Sequence, residues 1–352
     1  MSGLKNLAYR GAFEVLYYSG LSRILRPFVA GVGSILTLHH VRPARADRFQ
    51  PNQFLEITPE FLDAVVQRLL RDNVDIVAMD DVHRRLTEGD FKRPFVAITL
   101  DDGYRDTRTC AYPVFKKYGV PFAVFVATSF PERRGQLWWV ALESIIAAND
   151  SIVVAMDGQE RRLICGSIEE KHAVYLQLRA WFASRASEAE MLACVGDLTT
   201  RYGVEMAAIC AALCMDWREI AELAADPLVT IGAHTVNHIM LGRADEAAVR
   251  LELKASRDVL QAKLGREIRH LAYPYGDARA AGSREFAIAA ELGFKTAVTT
   301  RPSTLFAGCR EHPMALPRIT VNGEFQRERY VDVLVSGTAT AFWNGFRRLQ
   351  FT

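Results

Sequence analysis

Eight short apolar runs, separated by longer amphipathic stretches, constrain this chain more than any other feature of its sequence. They fall at 34–38, 75–78, 95–100, 122–127, 228–233, 269–273, 296–299 and, more weakly, 315–320. Short, mainly apolar runs of this length suit strands buried on both faces, as in a parallel sheet. The stretches between them carry helix signals. Thr58-Pro59-Glu60 offers a capping hydroxyl and then a proline at the first helical position. Asp216-Trp217-Arg218-Glu219 is a capping-box variant, and the long 244–264 pattern stops at Gly265. Alternating β and α elements predict an α/β fold, a (β/α) barrel of seven or eight mainly parallel strands. The segment 138–225 breaks the rhythm and reads as a helical insertion with a short hairpin around 152–163, walling one side of a cleft. The expected organisation is an amphipathic helical segment (1–33), the barrel (34–325) and a helical tail (326–352).

Polar motifs sit where these strands end. His39 and His40 follow the first, Asp101-Asp102-Gly103-Tyr104 the third, His234 the fifth and Tyr273-Pro274-Tyr275-Gly276 the sixth. In a parallel barrel those ends converge on one rim. Adjacent residues on an extended chain point in different directions, so the two aspartates can do different jobs. His234 and His238 are four apart in His234-Thr235-Val236-Asn237-His238, a spacing that on a helical turn puts both rings on one face. One carboxylate and two imidazoles form a ligand set for a catalytic divalent metal with positions left open. The second carboxylate is then free to act as a base. That is the outline of a hydrolase.

Composition narrows the field. Net charge is +2 over 352 residues, with no basic excess to neutralise nucleic-acid phosphates. Cys110, Cys165, Cys194, Cys210, Cys214 and Cys309 follow no disulfide-scaffold or zinc-ribbon spacing, which points to a reducing compartment. Residues 1–27 carry Lys5, Arg10, Glu14, Arg23 and Arg26 and have no uninterrupted apolar core, so neither a signal peptide nor a membrane span is expected there. A cytoplasmic location follows as an expectation. Aromatic and basic residues alternate in this segment and again from Phe342 to Leu349. Both stretches read either as helices packed on the domain or as a peripheral contact with the inner face of the cell membrane.

The succession Thr99-Leu100-Asp101-Asp102-Gly103-Tyr104, His234-Thr235-Val236-Asn237-His238 and Tyr273-Pro274-Tyr275-Gly276 resembles the polysaccharide deacetylase family, carbohydrate esterase family four. The similarity runs from about His39 to Arg318. It implies a distorted (β/α) barrel and metal-dependent removal of N-acetyl or similar groups from amino sugars. By that resemblance Asp101 is the catalytic base, and Asp102, His234 and His238 hold one divalent ion, most often Zn²⁺, with Co²⁺, Ni²⁺ or Mn²⁺ as alternatives. Tyr275 corresponds to the residue whose backbone N–H helps hold the oxyanion; Tyr104, Pro274 and Trp139 join it as candidate substrate contacts. Trp138 and Trp139 read either as core or as a platform for a sugar ring.

Two departures from the family pattern stand out. Many relatives carry an arginine two residues before the proline of the third motif, where this chain has Ala272. Arg318, in Leu316-Pro317-Arg318-Ile319, is the candidate replacement. Many relatives also have a late histidine as general acid, and none follows Arg318 here. His39 resembles the histidine of a subgroup that includes biofilm-polysaccharide deacetylases and is the expected acid, with His40 and His312 as alternates. The expected substrate is an N-acylated amino sugar of a glycan or glycolipid precursor. A deformylase or amidase acting on a smaller substrate, and a glycan-binding barrel without turnover, are the rival readings.

Overall fold

A computed structural model describes residues 3–184 and 188–347. The eight apolar runs become β1 (Gly33–Leu38), β2 (Asp75–Ile76), β3 (Phe95–Leu100), β4 (Phe122–Val126), β5 (Val229–Ala233), β6 (His270–Ala272), β7 (Thr296–Val298) and β8 (Ile319–Thr320). All belong to one sheet of order β7-β6-β5-β4-β3-β1-β8, and β2 pairs with the start of β3. Every pairing in it is parallel. β1 and β3 are buried along their whole length, which explains why their sequences run apolar rather than alternating.

The sheet curls into a distorted barrel. Leu316 bridges Val298 of β7, and three residues later Ile319 pairs with Leu36 of β1, so one short segment touches both edges. Pro317 in that segment has no N–H to donate, which accounts for β8 being shorter than its apolar run.

Helices start and stop where the sequence predicts. Thr58 Oγ1 accepts from the Phe61 N–H, Asp216 and Glu219 form a reciprocal capping box, and Gly265 ends its helix at φ 64°. The insertion holds a hairpin, Ser151–Met156 with Gln159–Ile164, and five helices. Its turn residues Asp157 and Gly158 both have positive φ, the geometry a two-residue hairpin needs. Leu142, Ile146, Val174 and Leu178 anchor a second apolar core there, continuous with Tyr104 and Tyr275 at the barrel rim.

The N-terminal segment forms α1 (Gly3–Tyr18) and α2 (Leu21–Val29). α1 packs on the helix Glu328–Val335: Phe13 stacks on Tyr330 at 4.8 Å, and Glu14 accepts from Arg329, Arg327 and Tyr330. Packing on the domain is therefore real. Of the aromatic-basic tail, residues 342–347 are described, while Arg348 and Leu349 lie outside the described residues.

Candidate active site

The strand ends do converge. Asp101 and Asp102 follow β3, His39 follows β1, His234 follows β5 and the Tyr273–Gly276 segment follows β6. His39, Asp101, Asp102, His234, His238 and Tyr275 all line one cavity of about 420 Å³.

Asp102 Oδ1 lies 3.4 Å from His234 Nε2 and 3.3 Å from His238 Nε2. His234 is oriented by its other nitrogen, Nδ1, 2.7 Å from the Ala272 carbonyl. A carbonyl only accepts, so Nδ1 carries the hydrogen and Nε2 turns a lone pair toward the carboxylate. Asp102 Oδ1 is buried and has no hydrogen-bond partner among the described residues. Buried acceptors that face one another without a donor are costly, and a cation between them removes that cost. Asp102, His234 and His238 are the one group of metal-competent side chains among the described residues, their donor atoms within 4.8 Å of one another. The donor set fits a divalent transition ion.

The electrostatics agree. Burial pushes the Asp102 carboxyl up, but His238 and His234 outweigh it and hold the group well below the ordinary carboxylate range. Burial likewise pushes the His234 imidazole down, and Asp102 with Asp101 reverses this to a net rise. The negative field that shifts His234 is the field a cation would feel.

The sequence places His234 and His238 on a helical turn, and here the structure differs. The two rings meet on a loop, with Thr235 at φ 62° and His238 at φ 56°. Thr235 Oγ1 accepts from the His238 N–H at 3.0 Å. Glu252, in the next helix Glu246–Leu264, accepts from the N–H groups of Val236 and Asn237 at 2.8 and 2.9 Å and from Asn237 Nδ2 at 2.6 Å. Glu252 is a positioning residue that sequence reasoning missed; on an amphipathic helix it looks like one more surface acid.

Asp101 is clamped. Arg318 Nη1 and Nη2 donate to its two oxygens at 2.7 and 2.6 Å, and the guanidinium also reaches Thr99 Oγ1 and the Thr299 carbonyl. Arg318 is fully buried. Burial raises the Asp101 carboxyl, and Arg318 more than reverses it, leaving the group ionised below its ordinary range. Ala272, where many relatives have arginine, contributes its carbonyl to His234 instead.

A convergent Asp-His-His centre at the rim of a parallel barrel invites comparison with known proteins. The polysaccharide deacetylase family model matches residues 88–162 and 170–297, more than half of the chain. The chain belongs to the polysaccharide deacetylase family. This deacetylase is therefore a hydrolase acting on amide bonds. His39 and Arg318 fall outside the matched segments. Its fold is similar to a Streptococcus pyogenes deacetylase, PplD, solved in complex with acetate, at 19% identity and TM-score 0.58, covering 86% of this chain and 97% of that one. It is also similar to IcaB from Ammonifex degensii (18% identity, TM-score 0.53, covering 86% and 97%). A de-N-acetylase from Aggregatibacter actinomycetemcomitans is a third (13%, TM-score 0.54, 86% and 99%). No curated protein sequence matches.

The remaining candidates separate. Tyr275 lines the deacetylase cavity at φ 60°, its hydroxyl accepts from Trp138 Nε1 at 3.0 Å, and its backbone N–H has no acceptor among the described residues. Trp139 lines the cavity too, 5.2 Å from the His238 ring, with Nε1 donating to Tyr104 at 3.3 Å. Tyr104 and Pro274 do not line the cavity. Tyr104 is fully buried between His40, stacked at 3.6 Å, and Trp139, so it positions rather than touches substrate. The Pro274 carbonyl accepts from the Gly276 N–H at 2.7 Å and shapes the turn that aims Tyr275.

Of the histidines, His39 is half-buried in the cavity, and burial pushes its imidazole down despite Asp102 and Asp101. His40 turns away, with Nδ1 2.6 Å from Asp106 Oδ2, and His312 is exposed outside the cavity.

Proposed function

We propose that this deacetylase removes an N-acetyl or related N-acyl group from an amino sugar of a glycan or glycolipid precursor, using one divalent ion held by Asp102, His234 and His238. The observation that carries the reading is the buried Asp102 oxygen facing two imidazole nitrogens beside a second, arginine-clamped aspartate. Two nitrogens and one oxygen suit Zn²⁺, with Co²⁺, Ni²⁺ and Mn²⁺ as competitors. Such an ion supplies Lewis acidity toward a carbonyl oxygen and makes water acidic near neutral pH.

The side chains supply the rest. Asp101, kept ionised by Arg318, accepts the proton of the attacking water. The free N–H of Tyr275 donates to the oxygen that gains charge as the carbonyl becomes tetrahedral, a contribution of about 3–4 kcal/mol for one such donor. His39, lining the same cavity, relays to the departing amine the proton that Asp101 has taken from the water, which returns both groups to their starting state. Trp138 and Trp139 form the wall against which a sugar ring would lie. The apolar side chains Phe54, Leu55, Phe182 and Met191 continue that wall and favour a substrate with an apolar part near the amide, as a lipid-linked amino sugar has.

Metal-stripped protein, reloaded with each ion, tests this against a panel of free and lipid-linked N-acylated amino sugars. Acetate release that depends on the ion supports the reading, and formate release instead points to a deformylase. Binding of the sugar without release of any acid makes the protein a glycan-binding barrel and rejects the proposal.

A further inference from the structure

The terminal helices leave an apolar face that nothing among the described residues covers. On α2, Ile24 (66% exposed) and Phe28 (77%) stand one turn apart on the same side. Phe28 shares a shallow depression with Phe346 and Arg347, Phe346 packs on Phe342 at 5.0 Å, and Trp343 (64% exposed) lies 5.7 Å from Tyr9 of α1. Among the described residues, most of the large apolar side chains left to solvent lie on these two stretches of chain. Soluble proteins seldom concentrate exposed apolar surface in this way unless something binds there.

We infer that this face docks on an anionic lipid bilayer. Its charges decide the occupant. Arg347 lines the same depression as Phe28 and Phe346, and Lys5 stands one turn from Tyr9, the ring against Trp343. Arg23 and Arg26 lie round α2 from Ile24 and Phe28, in a separate depression with Asp72 and Asp332. α2 contains no acidic residue, nor does the stretch 338–347, and the one acid of α1, Glu14, is engaged by Arg327, Arg329 and Tyr330. These stretches thus offer aromatic rings and cations, and their one carboxylate is engaged. A second copy docking through the same face about a two-fold axis would set cations against cations. A leaflet of acidic lipids answers both features at once, with rings at the headgroup level and each Lys or Arg strengthening the contact about fivefold. The contact is peripheral, since no described helix is long and apolar enough to cross a membrane.

The face also reaches toward the cavity. Asn6 of α1 donates to Glu324, and the turn Gly323–Phe325 packs on Gln53–Leu55, of which Phe54 and Leu55 line the cavity. A lipid-linked substrate would then be met at its own leaflet; that clause rests on the proposed function, whereas the docking itself does not.

The full chain is mixed with vesicles of neutral phosphatidylcholine alone, or with one third phosphatidylglycerol, and sedimented. Binding is expected to the anionic vesicles only and to weaken as salt rises. Lys5→Glu with Arg347→Glu should lower partitioning by about 25-fold or more. Ile24→Ser with Phe28→Ser and Trp343→Ser should abolish it, with circular dichroism and melting temperature unchanged as the check on folding. Absence of binding to anionic vesicles, or equal binding by wild type and variants, overturns the proposal. So does a concentration-dependent dimer that the same substitutions dissolve, because the face would then belong to a second copy.

Discussion

Arg318 meets Asp101 through two parallel hydrogen bonds, 2.7 and 2.6 Å, from a position 217 residues away in sequence and fully out of solvent. A fork of this kind fixes the direction of the carboxylate as well as its charge. Arg318→Gln should therefore do two things. Leaving a buried carboxylate without its partner should cost roughly 3–5 kcal/mol of stability, read by denaturant melts. Turnover should fall about a hundredfold or more, and Arg318→Lys, which keeps the charge but loses the fork, should recover stability better than turnover.

Asp101→Asn tests the base separately from the ligands. Metal content by elemental analysis should be unchanged, while kcat falls by about 10²- to 10⁴-fold. Retention of near wild-type activity would assign the proton transfer elsewhere.

His234→Ala should lose the ion itself. Added Zn²⁺ at about a hundred times its Kd raises the stability of a binding-competent protein by about 2.7 kcal/mol. The wild type should show that rise in a thermal melt and the variant should not.

Glu252→Gln probes the loop that carries both imidazoles. Three hydrogen bonds from residues 236 and 237 end on this carboxylate. Loss of its charge should weaken metal affinity about 10- to 100-fold, measured by competition with a chelating dye, with little change in global melting.

Acid should loosen the N-terminal helix before the barrel. The hydrogen bonds from Arg329 and Tyr330 hold the Glu14 carboxyl down to about 2 from an ordinary 4.5. A folded value below the unfolded one means that the contact is fully present above about 4.5 and is lost as pH falls toward 2. Fluorescence of Trp343, which lies against Tyr9, should report a transition in that window. Glu14→Gln should abolish it.

Much of this architecture is legible in the residues because its strands are buried on both faces. Phe95–Leu100 needs no alternation to be recognised when both of its faces are covered. The strand-end polar residues stand out against that background for the same reason. Arg318 is legible only by elimination, since nothing local in Leu316-Pro317-Arg318-Ile319 says which carboxylate it meets. Spacing misleads at His234 and His238: four residues can close a loop as well as a helical turn, and the positive φ at Thr235 and His238 chooses the loop. Tyr104 lies two residues beyond Asp102, and nothing in the motif says that it turns under the rim onto His40 while Asp102 faces the cavity.

Asp102, Thr235, His238 and Tyr275 hold φ of 72°, 62°, 56° and 60°, a region that side chains other than glycine's enter at a cost of about 1–3 kcal/mol each. Selection for heat tolerance alone would relax this rim first, by admitting glycine at those four places. At Asp102 and His238 the protein so relaxed would melt later and lack a side chain its centre is built from.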